Sequence, residues 1–515
     1  MPTMPTDSGA TALPASRYDL AIIGGGINGT AIARDAAGRG LKVLLVEQDD
    51  LASHTSGASS KLIHGGLRYL EYYEFGLVKK ALAEREVMLK SAPHIIRPMR
   101  FVMPHDGGTR PAWLLRAGLF LYDHLARREL LPGSESLDLR RDAAGMPLRW
   151  KSPRAFAYWD TWVDDARLVV SNAIDAREHD ATVLTRTRCT GARRATAGWQ
   201  LDLRDASGIA HTVQARALVN AAGPWVDTLR ERVLHTRATH RVRLIRGSHI
   251  VVPRIHDHDF AYLLQNPDRR ILFAIPWEGC TVLGTTDVEQ ASPDEPPVAS
   301  GAEIGYLCAM AARWLRAPID PDKLLWAYSG VRSLLDDAAG NASAVTRDYL
   351  LDVDTEGAPL LTVYGGKITT ARVLAEEALH KLQPLMEKLG IRTARGAWTA
   401  TASLPGGDLP ANGLDAWTAQ LRTIHPWLSE ALAQRWARTY GTRTLRMLEH
   451  ARGPGDLGAL VGDAIHEIEL AWLIREEWAT GADDVLWRRT KLGLHAPEGT
   501  SAAIGDWMRQ NRQMC

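Results

Sequence analysis

The sequence predicts a chain of mixed α/β architecture followed by an all-helical C-terminal domain, and three observations carry that prediction. A glycine-rich turn sits between two short apolar strands near the N-terminus. Residues 241–290 alternate between apolar and polar positions and are punctuated by turn residues, as paired strands are. Beyond Ala400 the periodicity is helical only. A chain of 515 residues exceeds what one hydrophobic core serves and divides into two or three domains, which insertions can make discontinuous.

The stretch Tyr18 to Glu47 reads YDLAIIGGGINGTAIARDAAGRGLKVLLVE. Leu20 to Ile23 form a strand, Ile27, Ala31 and Ile32 mark the apolar side of a helix, and Val43 to Val46 form a second strand closed by an acid. That is a βαβ unit of the Rossmann type. Its glycines have separate jobs. Gly24 ends the strand in a tight turn, Gly26 lets the backbone approach a pyrophosphate, and Gly29 lets helix and strand pack closely. Amides at the helix start, around Asn28, face phosphate with the positive end of the helix dipole. Glu47, 23 residues after Gly24, is placed to accept from ribose hydroxyls. The unit predicts dinucleotide binding.

Hydrophobic content of 45% and charged content of 23% describe a folded globular protein, and a net charge of +1 argues against a nucleic-acid binder. The four cysteines, Cys189, Cys280, Cys308 and Cys515, show neither CxxC spacing nor a metal-ligand pattern. No metal site and no disulfide framework is expected, and a reduced, cytoplasmic setting is. Residues 1–16 lack a basic segment followed by an apolar run and read as a disordered tail, not a signal peptide. No apolar run approaches the ~20 residues that cross a bilayer. The excess of tryptophan, 17 against 6 phenylalanines, points to core and interdomain packing.

Residues 48–66 form a loop of small side chains able to lie flat against a ring system, and a helical pattern runs from Leu67, clearest between Leu77 and Lys90. Pro111 to Leu130 is apolar on one side and basic near its end, a helix suited to a membrane surface, to the protein's own core or to a partner subunit. LVNAAGPWVD is a strand running into a small-residue turn where the backbone passes close to another group. Asn266-Pro267-Asp268 and Glu278-Gly279 are hairpin turns. LLTVYGGKITTARVLAEEAL is a strand, a Gly-Gly turn and a helix starting near Thr369, which supplies a second helix N-terminus. Past the LPGG turn at Leu404 to Gly407 come helices only: Trp417 to Arg422, Leu428 to Tyr440, Arg443 to Ala451, Ala464 to Ala479 and Val485 onward. The run Trp487-Arg488-Arg489-Thr490-Lys491 reads as a solvated cationic face or an anionic-lipid contact.

The segment Ser59 to Leu70, SSKLIHGGLRYL, resembles the flavin-dependent glycerol-3-phosphate dehydrogenases, the respiratory branch of the D-amino-acid-oxidase-like flavoproteins. RPMRFVMPH (Arg97 to His105), WVDDARLV (Trp162 to Val169), VNAAGPWVD (Val219 to Asp227), RLIRGSHIVVP (Arg243 to Pro253), LGTTDVE (Leu283 to Glu289), YSGVRSLLDD (Tyr328 to Asp337), TRDY (Thr346 to Tyr349) and YGGKITTAR (Tyr364 to Arg372) follow in that family's order.

The resemblance implies non-covalent FAD held by Gly24, Gly26, Asn28, Gly29, Glu47, Ser59, Ser60, Ala222, Gly223, Gly366 and Thr369. It implies that Arg68, Arg332 and Arg347 meet a substrate phosphate, with Lys367 completing the basic set, because arginine forks pair with phosphate oxygens and lysine adds a compact charge. Tyr69 is expected to hydrogen-bond substrate, and His64 to take or relay its hydroxyl proton, with His249 the competitor. Ser333 departs from the family, which carries proline there, and predicts a looser loop beside Arg332.

The implied activity is oxidation of sn-glycerol 3-phosphate to dihydroxyacetone phosphate, with FAD reoxidised by a membrane quinone. The implied setting is peripheral attachment to the inner face of the cell membrane, with a homodimer as the assembly. The expected division gives residues 17–94, 160–240 and 338–390 to a Rossmann-like FAD-binding domain, 95–159 and 241–337 to an antiparallel-sheet substrate domain, and 400–515 to a C-terminal α-helical domain. Three rivals stand beside this reading. One is a glycerol-3-phosphate oxidase using O2, another a glycine- or D-amino-acid-oxidase-like amine oxidase, for which a single carboxylate-binding arginine suffices. The third is a flavin-binding sensor without turnover.

Overall fold

The structure is a computed structural model that describes residues 16–106, 110–150, 152–237, 240–268, 270–336 and 348–511. The expected N-terminal tail, apart from Ser16, lies outside the described residues.

The nucleotide unit forms as its sequence pattern requires. Strand Arg17–Ile23 lies between Val43–Val46 and Ala210–Asn220 and pairs parallel with both, so that Ile22 faces Leu45 on one side and Val219 on the other. Strands covered on both faces need unbroken apolar runs, and Val43, Leu44 and Leu45 are fully buried. The sheet continues through Thr182–Leu184 at one edge and Leu360–Gly365 at the other, where the antiparallel Tyr349–Asp354 closes it. Helices Ile27–Gly38, Asp165–Glu178 and Ala371–Lys388 pack in one layer on this sheet. Gly198–Asp205 pairs onto Ala210–Asn220, Thr187–Ala195 pairs onto Gly198–Asp205, and together they bury the other face.

A second, larger sheet stands over the first. Val242–Pro253 pairs antiparallel with Trp326–Leu335 along its length, and with Cys280–Gly284 on its other side. The hairpin between Ile271–Trp277 and Cys280–Gly284 turns at Glu278 and Gly279, with φ of 45° and 74°; both central residues are left-handed, as a two-residue turn matching strand twist requires. Ala261–Gln265 then pairs parallel with Ile96–Pro104, so the sheet is antiparallel at every pairing but this one among the described residues. Ser333 does not loosen its surroundings: it pairs with Leu244 in an uninterrupted ladder, and what was expected to be a loop is a strand.

Other expectations are corrected. The helical pattern from Leu67 breaks in two, a 3-10 segment Leu67–Tyr72 and a helix Phe75–Ser91, because Tyr73 adopts a left-handed φ of 60° between them. Pro111 to Leu130 is helical only over Ala112–His124. The C-terminal region is not helices alone. Gly413–Ile424, Glu430–Tyr440, Glu467–Glu477 and Thr500–Gln510 surround a core containing Trp417, Trp436, Trp472 and Trp507, but Leu460–Val461 and Ile465–His466 form a small β-ladder. The run Trp487 to Lys491 is neither a solvated face nor a lipid contact. Arg489 is fully buried and Lys491 nearly so, because both meet carboxylates of the N-terminal part of the chain.

The helical domain is attached through buried charge. Arg167 pairs with Glu477, their side chains 2% and 0% exposed, and Arg443 pairs with Glu178. Removing one member of a buried pair leaves the other uncompensated in low dielectric, which costs roughly 3–5 kcal/mol. Arg167→Met is therefore expected to lower unfolding stability by about 3 kcal/mol or more, read as a shift of the denaturant midpoint of tryptophan fluorescence.

Candidate active site

Between the two sheets lies a cavity of about 770 Å³ whose floor is the glycine turn after the first strand. Gly24 has a φ of 115°, and a Cβ there would stand 2.4 Å from the Ala221 carbonyl oxygen; one on Gly29 would stand 1.9 Å from the Gly24 carbonyl oxygen. Helix and strands thus meet backbone to backbone, and the start of helix Ile27–Gly38, which has glycine at its cap position, opens on the cavity. Asn28 donates to the Gly365 carbonyl at 3.2 Å, while its buried Oδ1 has no hydrogen-bond partner within the protein. The Ile27 amide meets the Ser56 hydroxyl at 2.9 Å. The positive end of the helix at a Cβ-intolerant turn suits a pyrophosphate, and the orphaned Asn28 acceptor suits an O–H or N–H donor elsewhere on the same bound group.

At the nucleotide end the Glu47 carboxylate accepts from the Gly25 amide at 2.6 Å and the Asp49 amide at 2.8 Å. Burial raises its pKa against those two amides. His54 Nε2 lies 2.8 Å from Asp49 Oδ2, and this hydrogen bond lowers the Asp49 pKa. Ser59 gives both its amide and its hydroxyl to Asp165, at 3.1 and 2.8 Å, and Asp165 is paired with the buried Lys61. Ala222 and Gly223 line the cavity where Ala210–Asn220 ends, and the Asn220 side chain accepts from the Ala222 amide.

Cations enter the cavity from both sheets and from the segment after Gly66. Arg332, on the second sheet, reaches Asp287 Oδ1 at 2.6 Å and Thr285 Oγ1 at 2.9 Å. Lys367 leaves the Gly-Gly turn and holds its Nζ 4.2 Å from the centroid of the Tyr69 ring. Arg68 approaches the Tyr72 hydroxyl at 3.3 Å. Thr369 accepts from the His64 amide at 3.3 Å, so the second glycine turn touches the histidine segment.

Of the histidines that line this space, His64 and His249 differ in setting. His64 is half-buried, and burial, reinforced by the Lys367 and Arg85 charges, pushes its pKa down to about 3. The next residue, Gly65, gives its amide to the Tyr122 hydroxyl at 2.9 Å, which in turn donates to Asp160, held by Arg85 at 2.7 Å. His249 is buried, its Nε2 lies 2.9 Å from Ser60 Oγ, and its ring stacks on Tyr328 at 4.8 Å. Burial again dominates and holds its pKa well below the usual histidine value.

One cavity therefore gathers Gly24, Gly26, Asn28, Glu47, Ser59, Ser60, His64, Arg68, Tyr69, Ala222, Gly223, His249, Arg332, Gly366, Lys367 and Thr369. Gly29 acts from behind, through the packing of its helix. Arg347 lies outside the described residues. The wall also includes residues that sequence reading did not single out: Arg188, Arg232, Arg270, His54 and Trp225. His54 was discoverable, as the one ionisable side chain in a run of small ones. The arginines carried no motif.

Two family models match the chain, an FAD dependent oxidoreductase model over residues 19–372 and the C-terminal domain of alpha-glycerophosphate oxidase over 397–510. The chain is 50% identical to a glycerol-3-phosphate dehydrogenase of Pseudomonas aeruginosa, covering 96% of each. It is 49% identical to a D-erythritol 1-phosphate dehydrogenase of Brucella abortus, over 95% of this chain and 97% of that one. A solved glycerol-3-phosphate dehydrogenase of Bacillus halodurans, complexed with FAD, superposes with a TM-score of 0.71 over 98% of this chain and 96% of that one, at 22% identity, and shares the fold. The cofactor is FAD, and the cavity fits it by the glycine floor, the helix N-terminus that opens on it and the orphaned Asn28 oxygen, which a donor of the flavin nucleotide would satisfy.

Two outcomes are expected. Gly29→Ala forces a Cβ onto the Gly24 carbonyl and abolishes flavin retention, read as loss of flavin absorbance in the purified protein. His64, His94 and His249 are all held neutral by burial, so the unfolded chain binds more protons than the folded one below the ordinary histidine pKa of 6.5. Stability is then complete above pH ~6.5 and falls on acidification toward pH 3, by up to about 1.4 kcal/mol per pH unit for each histidine. Denaturant midpoints at a series of pH values check the sign, and His94→Phe should flatten the slope.

Proposed function

The chain belongs to the FAD-dependent oxidoreductase family and ends in the C-terminal domain of the alpha-glycerophosphate oxidases, and from that premise we propose that it oxidises sn-glycerol 3-phosphate to dihydroxyacetone phosphate. The observation that carries this reading is the single cavity that Arg68, Arg332 and Lys367 line together with His64 and His249. FAD, when bound, supplies the two-electron acceptor for the carbon-bound hydrogen.

The remaining work falls to side chains. Arg332, oriented by Asp287 and Thr285, presents its guanidinium to the phosphate, and Arg68 and Lys367 add charge from the facing segments. His64 is neutral at working pH and has room on the cavity side to accept the hydroxyl proton. Arrival of the phosphate anion offsets the Lys367 charge that depresses the His64 pKa, and so makes the imidazole a better base when substrate is present. His249, whose Nε2 meets Ser60 at the same wall, is the second choice for that step.

D-erythritol 1-phosphate is the second substrate reading, favoured by the relative of nearly equal identity. It shares the phosphate and a neighbouring secondary hydroxyl, so the same cations anchor it. Anaerobic bleaching of the bound flavin by each compound, compared at half-saturation, decides between them; bleaching by glycine alone overturns both. Peroxide release against reduction of a quinone analogue separates an oxidase from the proposed quinone-linked enzyme.

We further place the enzyme on a membrane surface, on the inner face of the cell membrane. No helix of the described residues is long and apolar enough to cross a membrane. Trp113, Leu114 and Phe120, with exposures of 71%, 46% and 58%, form an apolar outer face on helix Ala112–His124. That helix packs against Leu67–Tyr72, beside which Tyr73 is 80% exposed.

Arg332→Ala is expected to raise the half-saturating substrate concentration at least about tenfold with FAD content unchanged, the cost of a charged hydrogen bond. His64→Ala is expected to slow flavin reduction at saturating substrate more than it weakens binding, read by stopped-flow. Replacing Trp113 and Phe120 together by serine should reduce cosedimentation with anionic vesicles and leave anaerobic flavin reduction intact.

A further inference from the structure

The six-residue π-helical turn Asp484–Arg489 of the helical domain meets one wall of the cavity at Asp50 and is joined to the other through a stack of rings. Arg489 forms a two-pronged pair with Asp50, both contacts at 2.8 Å, and Arg488 Nε reaches the same carboxylate at 2.6 Å. Asp484 in turn accepts from Arg186 at 2.6 Å. Asp50 is itself on the cavity wall and follows Glu47 and Asp49 at the nucleotide end. On the other side, the ring of Trp487 stacks on Trp326 at 4.4 Å, Trp326 on Tyr328 at 4.9 Å, and Tyr328 on His249 at 4.8 Å. The Tyr328 hydroxyl closes the circuit by donating to the Ser59 carbonyl at 3.1 Å.

Other links across the domain boundary do not reach the cavity. Neither partner of the Arg167–Glu477 or Arg443–Glu178 pairs belongs to its wall. A boundary that needed only cohesion would be served by such pairs. The turn instead directs its charges to Asp50, a buried acid of the nucleotide loop, and its indole to the end of a ring stack that terminates in a cavity histidine.

We propose that Asp484–Arg489 is a positioning element through which the helical domain sets both walls. Arg489 fixes the loop that seats the nucleotide end of FAD, and Trp487 fixes the orientation of His249. The second half rests on the proposed reaction; the first rests only on FAD binding, so the two fail separately.

The test uses full-length, FAD-loaded protein. Arg489→Gln should speed FAD release, followed by the recovery of flavin fluorescence well below the melting temperature, by about tenfold or more, as loss of a buried charged hydrogen bond does. Asp50→Asn should do the same, and stands in where the first variant does not fold. Trp487→Leu should slow flavin reduction at saturating glycerol 3-phosphate several-fold with half-saturation and FAD release unchanged, and Trp487→Phe should restore most of the rate. Arg443→Met is the control, since it weakens the same boundary at Glu178, away from the cavity and from Arg489. Arg167 does not serve, because its partner Glu477 also accepts from Arg489 through its carbonyl. The first half of the proposal is overturned if Arg443→Met releases FAD as fast as Arg489→Gln at an equal distance from melting. The second half is overturned if Trp487→Leu lowers the melting temperature but reduces flavin at the normal rate.

Discussion

The approach of the Gly29 backbone to the Gly24 carbonyl is the contact on which the rest of the site depends. A Cβ at Gly29 would come within 1.9 Å of that oxygen, and one at Gly24 within 2.4 Å of the Ala221 carbonyl. With neither present, the first helix starts directly beneath the ends of two parallel strands, and its opening turn points into the space between the sheets. Asn28 then reaches the Gly365 carbonyl, so a third strand end, more than three hundred residues away in sequence, is tied to the same spot. Ligands of open α/β sheets collect where the carboxyl ends of strands converge. Here that convergence is set by three backbones in mutual contact, and the second sheet closes over it.

Buried ion pairs hold this arrangement in register. Lys61 with Asp165, Arg85 with Asp160, and Arg489 with Asp50 each have side chains no more than 3% exposed. Desolvation consumes most of the attraction in such pairs, so they add little net stability against an apolar alternative of the same shape. Their effect is geometric. Each joins segments far apart in sequence with directional contacts that a hydrophobic patch would leave free to slide. The Lys61 pair also fixes Ser59, and the Arg85 pair reaches the Gly65 amide through Tyr122, so both act on segments lining the cavity.

Much of this was legible in the sequence, for a physical reason. Parallel strands buried on both faces, a glycine turn and two-residue hairpins leave local signatures, and the strands at Leu20 to Ile23 and Val43 to Val46, the Glu278-Gly279 turn and the helix after Thr369 lie where those signatures put them. What was illegible depends on distant partners. Nothing near Arg489 announces that Asp50 awaits it, and a run of Arg-Arg-Thr-Lys reads as surface until the opposing acids are known. The same holds for Arg188, Arg232 and Arg270, which enter the cavity wall from strands and turns without a motif of their own. Ser333 illustrates the converse: its expected loop is regular strand because cross-strand pairing with Leu244 overrides a local irregularity in composition.

Tyr122 lies on the inward side of the helix whose outward side carries Trp113 and Phe120, and its hydroxyl sits between the Gly65 amide and Asp160. An α-helix turns about 100° per residue, so a shift of one position in this segment would rotate the phenol out of the interior and an apolar ring into its place. The surface of this helix and the lining of the chamber are consequently one inherited unit. Descendants of this chain are free to change the size or chemistry of the outer rings, but an insertion or deletion upstream of Tyr122 in the helix is closed to them.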